Sequence, residues 1–153
     1  MDDDFVTGKP SDYDFVATYY PLWAGAASKH QAAALRGQLG VFERKGGLQM
    51  SDHASGAQWD APFGWAPTNW LAIAGLDACG FHADARRLAR AFTATIDRSL
   101  AADGTVREKY NMASDNADVK ISAGYKDNVI GFGWSNGVYL KLQALLQERS
   151  GGR

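Results

Sequence analysis

The sequence predicts an all-α fold built from two concentric layers of helices. Two neighbouring segments carry this prediction: residues 67–79 are apolar almost all round, whereas residues 83–102 are apolar along one stripe. A helix without a polar face has to be buried on all sides, and an amphipathic helix can cover it from the solvent. No segment alternates as a half-buried strand does. An inner helix followed by an outer one is what packed helical hairpins require.

Composition narrows the classes of function. The 153 residues suit one domain, and 46% hydrophobic content is enough for a packed core. The net charge is −1 with both signs interspersed, so we expect no nucleic-acid partner and no membrane partner. Cys79 is the only cysteine, which excludes an internal disulfide. His30, His53 and His82 lack metal-ligand spacing, so we expect no metal and no cofactor.

Targeting signals give little information. No apolar run approaches the roughly 20 residues that span a bilayer. Residues 1–5 are acidic where a signal peptide would be basic and then apolar. As written, the chain is expected to stay where it is made, and the compartment, periplasmic or cytoplasmic, is left open.

The first third of the chain contains one clear helix. Residues 1–12 are polar and aperiodic and are predicted as a loop or a frayed helix end, and residues 13–27 as irregular aromatic packing. A helix is predicted after Ser28, which can cap it. Four apolar residues recur at helical spacing along it, and Gly46-Gly47 ends the region. These four are Ala32, Leu35, Leu39 and Phe42.

Residues 58–69, Gln-Trp-Asp-Ala-Pro-Phe-Gly-Trp-Ala-Pro-Thr-Asn, are predicted as a rigid aromatic loop. Two prolines and a glycine make this stretch a poor helix and a poor strand. An indole face can cover the apolar side of a pyranose while a carboxylate accepts hydrogen bonds from its hydroxyls. Trp59 and Asp60 are therefore candidate sugar contacts. The alternative is a buried turn whose tryptophans fill the core, with Asp60 in an Asx-turn toward Pro62.

The second half contains three predicted helices and one long loop. The inner helix runs from Pro67 to Cys79 and is closed by Gly80, and the outer helix covers residues 83–102 before a turn at Asp103-Gly104. Residues 112–128 are predicted as a long loop of the kind that often forms a functional lid. Ser135 is the predicted cap of the last helix. Its predicted buried stripe is Val138, Tyr139, Leu142, Leu145 and Leu146.

Four segments resemble the motifs of one enzyme family, in that family's order. They are Pro21-Leu-Trp-Ala-Gly25, Gln58-Trp-Asp-Ala-Pro-Phe-Gly-Trp-Ala-Pro67, Arg107-Glu-Lys-Tyr-Asn111 and Gly131-Phe-Gly-Trp-Ser-Asn-Gly-Val138. Together they resemble the trehalase family of glycoside hydrolases, over nearly the whole chain. The resemblance implies an (α/α)6 toroid of six helical hairpins and inverting hydrolysis of α,α-trehalose to two glucose molecules.

The resemblance also assigns roles to residues. It places the general base on Glu108, and the flanking cations Arg107 and Lys109 would favour the ionised carboxylate that a base needs. Without the resemblance, Glu108 would be interpreted as a surface glutamate in a charged cluster. The walls of the sugar pocket are expected from five residues, of which the last three are about as compatible with core packing. These are Trp59, Asp60, Trp65, Phe132 and Trp134.

The general acid of the family is an aspartate in an upstream motif that has no counterpart in this chain. We therefore expect residues 1–153 to form a single incomplete domain, the C-terminal portion of the catalytic toroid, with a missing N-terminal portion as its partner. Two segments depart from the family pattern: Phe63 stands where many members have asparagine, and Ala123-Gly124-Tyr125 stands where many have Gly-Glu-Tyr. Asp127 is a candidate substitute for that missing glutamate.

Two other functions remain open on the sequence. One is a toroid glycosidase that acts on another α-glucoside, such as a maltooligosaccharide. The other is a non-catalytic sugar-binding or structural remnant. For a trehalase, the expected ligand is trehalose or glucose. Both are neutral sugars.

Overall fold

The computed structural model describes residues 3–148, and its secondary structure is mainly helical. The α-helices are Tyr20–Trp23 (α1), Lys29–Gly37 (α2), Leu39–Phe42 (α3), Ala66–Ala78 (α4), His82–Asp103 (α5) and Gly133–Glu148 (α6), and a 3₁₀ helix covers Val16–Tyr19. The strands are Asp3–Asp4 (β1), Lys9–Pro10 (β2), Glu43–Arg44 (β3), Gly47–Leu48 (β4), Phe63–Trp65 (β5) and Lys109–Asn111 (β6). They pair as three antiparallel ribbons, β1 with β2, β3 with β4 and β5 with β6. The all-α prediction is confirmed.

Helix α4 is the inner helix and packs against α1, α5 and α6. Ile73 and Leu76 are fully buried, because nearly every side chain that this helix presents to its neighbours is apolar. Pro67 lies in its first turn, where a missing N–H is not needed, and Gly80 follows its end with a φ of 87°. Trp70 is only half-buried, so the neighbours enclose most of α4 but not its whole circumference.

Helix α5 is the outer helix of the same hairpin. The predicted stripe lies against the core, whereas Arg87, Arg90 and Asp97 are exposed. The helix ends where Gly104 takes a φ of 73°, as the Asp103-Gly104 turn predicted. The buried stripe residues are Ala85, Leu88, Ala89, Phe92 and Ile96.

The helix predicted after Ser28 is two helices. Ser28 caps α2 through a capping box with Gln31, as expected. The helical pattern breaks at Gln38, which has φ −93° and ψ 4°, and α3 begins at the next residue. Gly37 and Gly40 flank the break, and glycine lowers helix stability through its backbone entropy.

The ribbons were not predicted from the sequence. Strands of two or three residues are too short to show an alternation, and their pairing depends on partners distant in the chain. Residues 3–10 form a hairpin instead of the expected loop or helix end, and residues 1 and 2 lie outside the described range. The predicted cap at Ser135 is also wrong, because α6 begins two residues earlier and Ser135 lies inside it.

The described residues pack around one hydrophobic core, formed mainly by α4, α5 and the segments that cover them. The assignment of residues 1–153 to a single incomplete domain stays a prediction. Between residues 3 and 148, no helix combines the length and the apolar character needed to cross a bilayer.

Candidate active site

The β5–β6 ribbon brings two of the four motifs side by side. Its register pairs Trp65 with Lys109 and Gly64 with the residue after Lys109. Gly64 is needed for this close approach, because a Cβ there would lie 2.5 Å from the carbonyl oxygen of Leu48 and 2.6 Å from Cγ of Met112. The aromatic stretch, expected to be all loop, therefore contains a strand that presents Trp65 beside the segment of Glu108.

The fourth motif and the residues just before it hold the backbone around Glu108. The Glu108 N–H donates to the carbonyl of Val129 at 2.8 Å, and the Gly131 N–H donates to the carbonyl of Val106 at 2.8 Å. From inside α6, the buried hydroxyl of Ser135 donates to the carbonyl of Glu108 at 3.3 Å. Sequence reasoning missed this contact. The only signal for it is a small polar residue on the buried side of the last helix.

The Glu108 side chain is almost buried and has one close cation. It is 6% exposed, and its Oε2 lies 2.7 Å from Nζ of Lys109, which is 0% exposed. Glu108 is therefore not a surface glutamate. The expectation that both flanking cations face it is wrong for Arg107, which contacts Asp103 at 2.5 Å and Thr105 at 3.0 Å. Asp103, the last residue of α5, binds the Arg107 guanidinium in place of Glu108.

Four of the predicted wall residues form one aromatic cluster next to Glu108. Trp65 is buried and stacks on Trp59, with ring centroids 4.1 Å apart and planes 4° apart. Trp134 meets Trp65 edge-on at 5.6 Å and 75°, and Phe132 packs on Trp134 at 4.7 Å. Trp59 and Trp134 are 42% and 39% exposed. These two indoles are accessible to a ligand, whereas Trp65 supports them from behind.

Asp60 follows Trp59 directly, but its carboxylate is directed at hydroxyl groups of the chain. Its Oδ1 accepts hydrogen bonds from Tyr13 and, at 2.9 Å, from Ser51, and its Oδ2 accepts one from Ser55. Burial disfavours the ionised form, yet the three hydroxyl donors outweigh it and hold the pKa of Asp60 below its ordinary value. Asp60 thus holds the Trp59 turn in place. The expected contact of Asp60 with a sugar stays a prediction.

The loop of residues 112–128 contacts Lys109, the partner of Glu108. The Tyr125 ring centroid lies 4.9 Å from Nζ of Lys109, and the backbone carbonyl of Asp127 accepts a hydrogen bond from Nζ at 2.5 Å. Partial desolvation, followed by the negative charges of Glu108 and Asp127, raises the pKa of the Tyr125 phenol. This phenol therefore remains a neutral hydrogen-bond donor around neutral pH.

Two of the histidines pair with neighbouring carboxylates. His53 pairs with Asp52 at 2.7 Å and His82 with Asp77 at 2.6 Å. Within residues 3–148, no three His, Cys, Asp or Glu side chains come together in the manner of a metal site. The site does combine the nearly buried carboxylate of Glu108 with the exposed indole faces of Trp59 and Trp134.

Comparison with known proteins identifies what this chain is similar to. The sequence model of the family "Trehalase" matches residues 1–147. The periplasmic trehalase of Pseudomonas aeruginosa is 36% identical over 145 residues, which are 94% of this chain and 26% of that protein. The periplasmic trehalase of Xanthomonas oryzae pv. oryzae is 37% identical over 147 residues, 92% of this chain and 25% of that protein.

Solved structures agree with these relatives. The neutral trehalase of Saccharomyces cerevisiae superposes with a TM-score of 0.78 at 28% identity, over 97% of this chain and 26% of that one. A GH63 mannosylglycerate hydrolase of Thermus thermophilus, solved in complex with glucose, gives a TM-score of 0.68 at 25% identity, over 91% and 33%. The chain spans about a quarter of the length of the curated relatives it matches.

Proposed function

This chain belongs to the trehalase family of glycoside hydrolases, with the helical-hairpin fold of (α/α)6 toroids, and we propose that it supplies the base side of an inverting α,α-trehalase site. Glu108 is the general base in this proposal. Trp59, Asp60, Trp65, Phe132 and Trp134 form or support the wall of a glucose subsite. The general acid belongs to a family motif that these residues do not include.

One observation carries the proposal. Three of the four motifs meet at Glu108: Lys109 of its own motif binds the carboxylate, Trp65 of the second motif pairs with Lys109 across the ribbon, and Ser135 of the fourth motif binds the Glu108 carbonyl. Burying a carboxylate costs free energy unless it is paired. Such an arrangement at the edge of an exposed aromatic cluster is typical of a functional site.

The reaction needs Glu108 to remove a proton from water. In an inverting glycosidase, water attacks C1 on the face opposite to the leaving group, and the base takes the proton that the water loses. The leaving oxygen of trehalose takes a proton from the general acid at the same time. A half-site with a base and no acid should therefore hydrolyse only substrates whose leaving group departs unprotonated.

This difference defines the test. We expect the purified chain to release no glucose from trehalose above background, but to hydrolyse α-D-glucosyl fluoride. Fluoride then leaves as an anion, the oxygen of water becomes the anomeric hydroxyl of β-glucose, and its proton goes to Glu108. Fluoride release should fall about 100-fold or more in Glu108→Gln. A fluoride electrode measures the release of fluoride. ¹H NMR identifies the anomer of glucose that forms first.

Two results would contradict the proposal in different ways. Release of glucose from trehalose that disappears in Glu108→Gln would mean that the chain already holds a general acid. Fluoride release that is the same in Glu108→Gln and in the unaltered chain would remove Glu108 from the chemistry. The exposed Asp97→Asn serves as the matched control for removal of a carboxylate.

A second candidate is hydrolysis of another α-glycoside, because one structural neighbour is named as a mannosylglycerate hydrolase. Comparing α-D-glucosyl fluoride with α-D-mannosyl fluoride separates the two candidates. These sugars differ only at C2, so the wall residues have to distinguish a single hydroxyl. The trehalase proposal requires the glucosyl substrate to be preferred.

A further inference from the structure

Lys109 is a lysine with no exposed surface. Its ammonium group donates to Oε2 of Glu108 at 2.7 Å and to the backbone carbonyl of Asp127 at 2.5 Å. An unpaired ammonium in the interior is costly, so lysine is rarely fully buried without such partners. The position of this cation is therefore set by the groups around it.

Two aromatic rings complete the surroundings of the ammonium. Nζ lies 5.0 Å from the ring centroid of Trp65 and 4.9 Å from that of Tyr125, both within the range of cation–π attraction. The Lys109 backbone is held as well, because the Asn128 amide accepts from its N–H at 3.2 Å and donates to its carbonyl at 3.1 Å. Contacts from β5 and from the long loop thus converge on one side chain.

The local backbone explains why neighbouring side chains meet. Successive side chains in a strand point to opposite faces of the ribbon. Glu108 lies at a bend directly before β6, and Lys109 is the first residue of that strand. The bend turns the carboxylate toward the lysine that follows it, so the pair forms without a distant partner.

We propose that Lys109 is the positioning residue for Glu108. Its ammonium fixes Oε2 of Glu108. Among residues 3–148, no donor hydrogen-bonds to Oε1, so Oε1 can receive the proton from water. Lys109 is fully buried, so it acts through Glu108 and not on the sugar. This inference rests on the proposed function, since it needs Glu108 to be the base.

The first measurement concerns the Glu108 rotamer and needs no activity. Three-bond side-chain couplings in the ¹³C-labelled chain should show one rotamer of Glu108 in the unaltered protein and in Lys141→Gln, an exposed lysine on α6. Lys109→Gln should give couplings averaged over several rotamers, because the charged partner is gone. If Lys109→Gln does not fold, Lys109→Arg keeps a cation in the core and should retain a single rotamer.

The second measurement separates positioning from general stability. In Lys109→Gln we expect kcat for α-D-glucosyl fluoride to fall about tenfold or more while KM stays within about twofold, since misplacing a catalytic group lowers turnover and not sugar binding. Lys109→Arg should recover part of the lost kcat. A change in KM alone, or no change in kcat, would overturn the inference.

The two proposals fail in distinguishable ways. If the unaltered chain releases no fluoride, the proposed function is wrong, and the rotamer measurement still decides whether Lys109 orients Glu108. If Glu108 keeps one rotamer in Lys109→Gln, the positioning role is wrong, whatever the activity.

Discussion

Two carboxylates near the aromatic cluster are equally buried but differ in what binds them. Asp60 is 7% exposed and Glu108 is 6% exposed. Asp60 uses both oxygens to accept hydrogen bonds from three neutral hydroxyls. The donors are Tyr13, Ser51 and Ser55. Glu108 binds one ammonium through one oxygen.

The difference shows that the donors, and not burial, decide what a buried carboxylate can do. Hydroxyl donors on both oxygens stabilise the ionised form and leave it little freedom to bind anything else. A single ammonium compensates the charge and leaves the second oxygen for a proton. Asp60 is thus suited to hold a turn, whereas Glu108 keeps one oxygen for the role of general base that we propose.

The largest expected effect on stability comes from breaking the Glu108 pair. Lys109→Met leaves a carboxylate buried without its partner and should lower the free energy of unfolding by about 3–5 kcal/mol. The double variant Glu108→Gln and Lys109→Met leaves no unpaired charge, so it should recover a large part of that loss. Urea denaturation of the unaltered chain, Lys109→Met, Glu108→Gln and the double variant gives the coupling free energy of the pair. Additive losses would mean that the two side chains do not depend on each other.

A smaller effect is expected from Asp60. Asp60→Ala removes the acceptor for three hydroxyls and should cost about 2–3 kcal/mol, whereas Asp60→Asn keeps an oxygen and should cost roughly half as much. Chemical denaturation measures the loss. A glucose titration monitored by Trp fluorescence separates a role in sugar binding from a role in holding the Trp59 turn. Weaker glucose binding at unchanged stability would make Asp60 a sugar contact instead of a support for the Trp59 turn.

The smallest effect is a pH dependence that should distinguish Asp60 from a solvent-exposed carboxylate. Because the pKa of Asp60 is lowered in the folded protein, its contribution is fully present above the unfolded pKa of about 4 and is lost as pH falls through the lower folded value. The free energy of unfolding should therefore fall less steeply between about pH 5 and pH 3 in Asp60→Asn than in the unaltered chain. Equal slopes would show that Asp60 is not stabilised as an anion.

The sequence by itself determined the scaffold. The inner and outer helices α4 and α5, the stop at Gly80 and the turn at Gly104 all follow from spacing and from residues that favour caps, since a helix is made by contacts within a few residues. The motif resemblance likewise identified the family and singled out Glu108 before any geometry was known.

Only the tertiary structure decided how the candidate site is held. Lys109 and not Arg107 faces Glu108, Ser135 binds its carbonyl instead of capping a helix, and three hydroxyls occupy the carboxylate of Asp60. Each of these outcomes is a competition among partners that are brought together by the ribbon β5–β6 and by the packing of α6. The energy of such a contact depends on distance in space and on burial, and neither is written in the order of the residues.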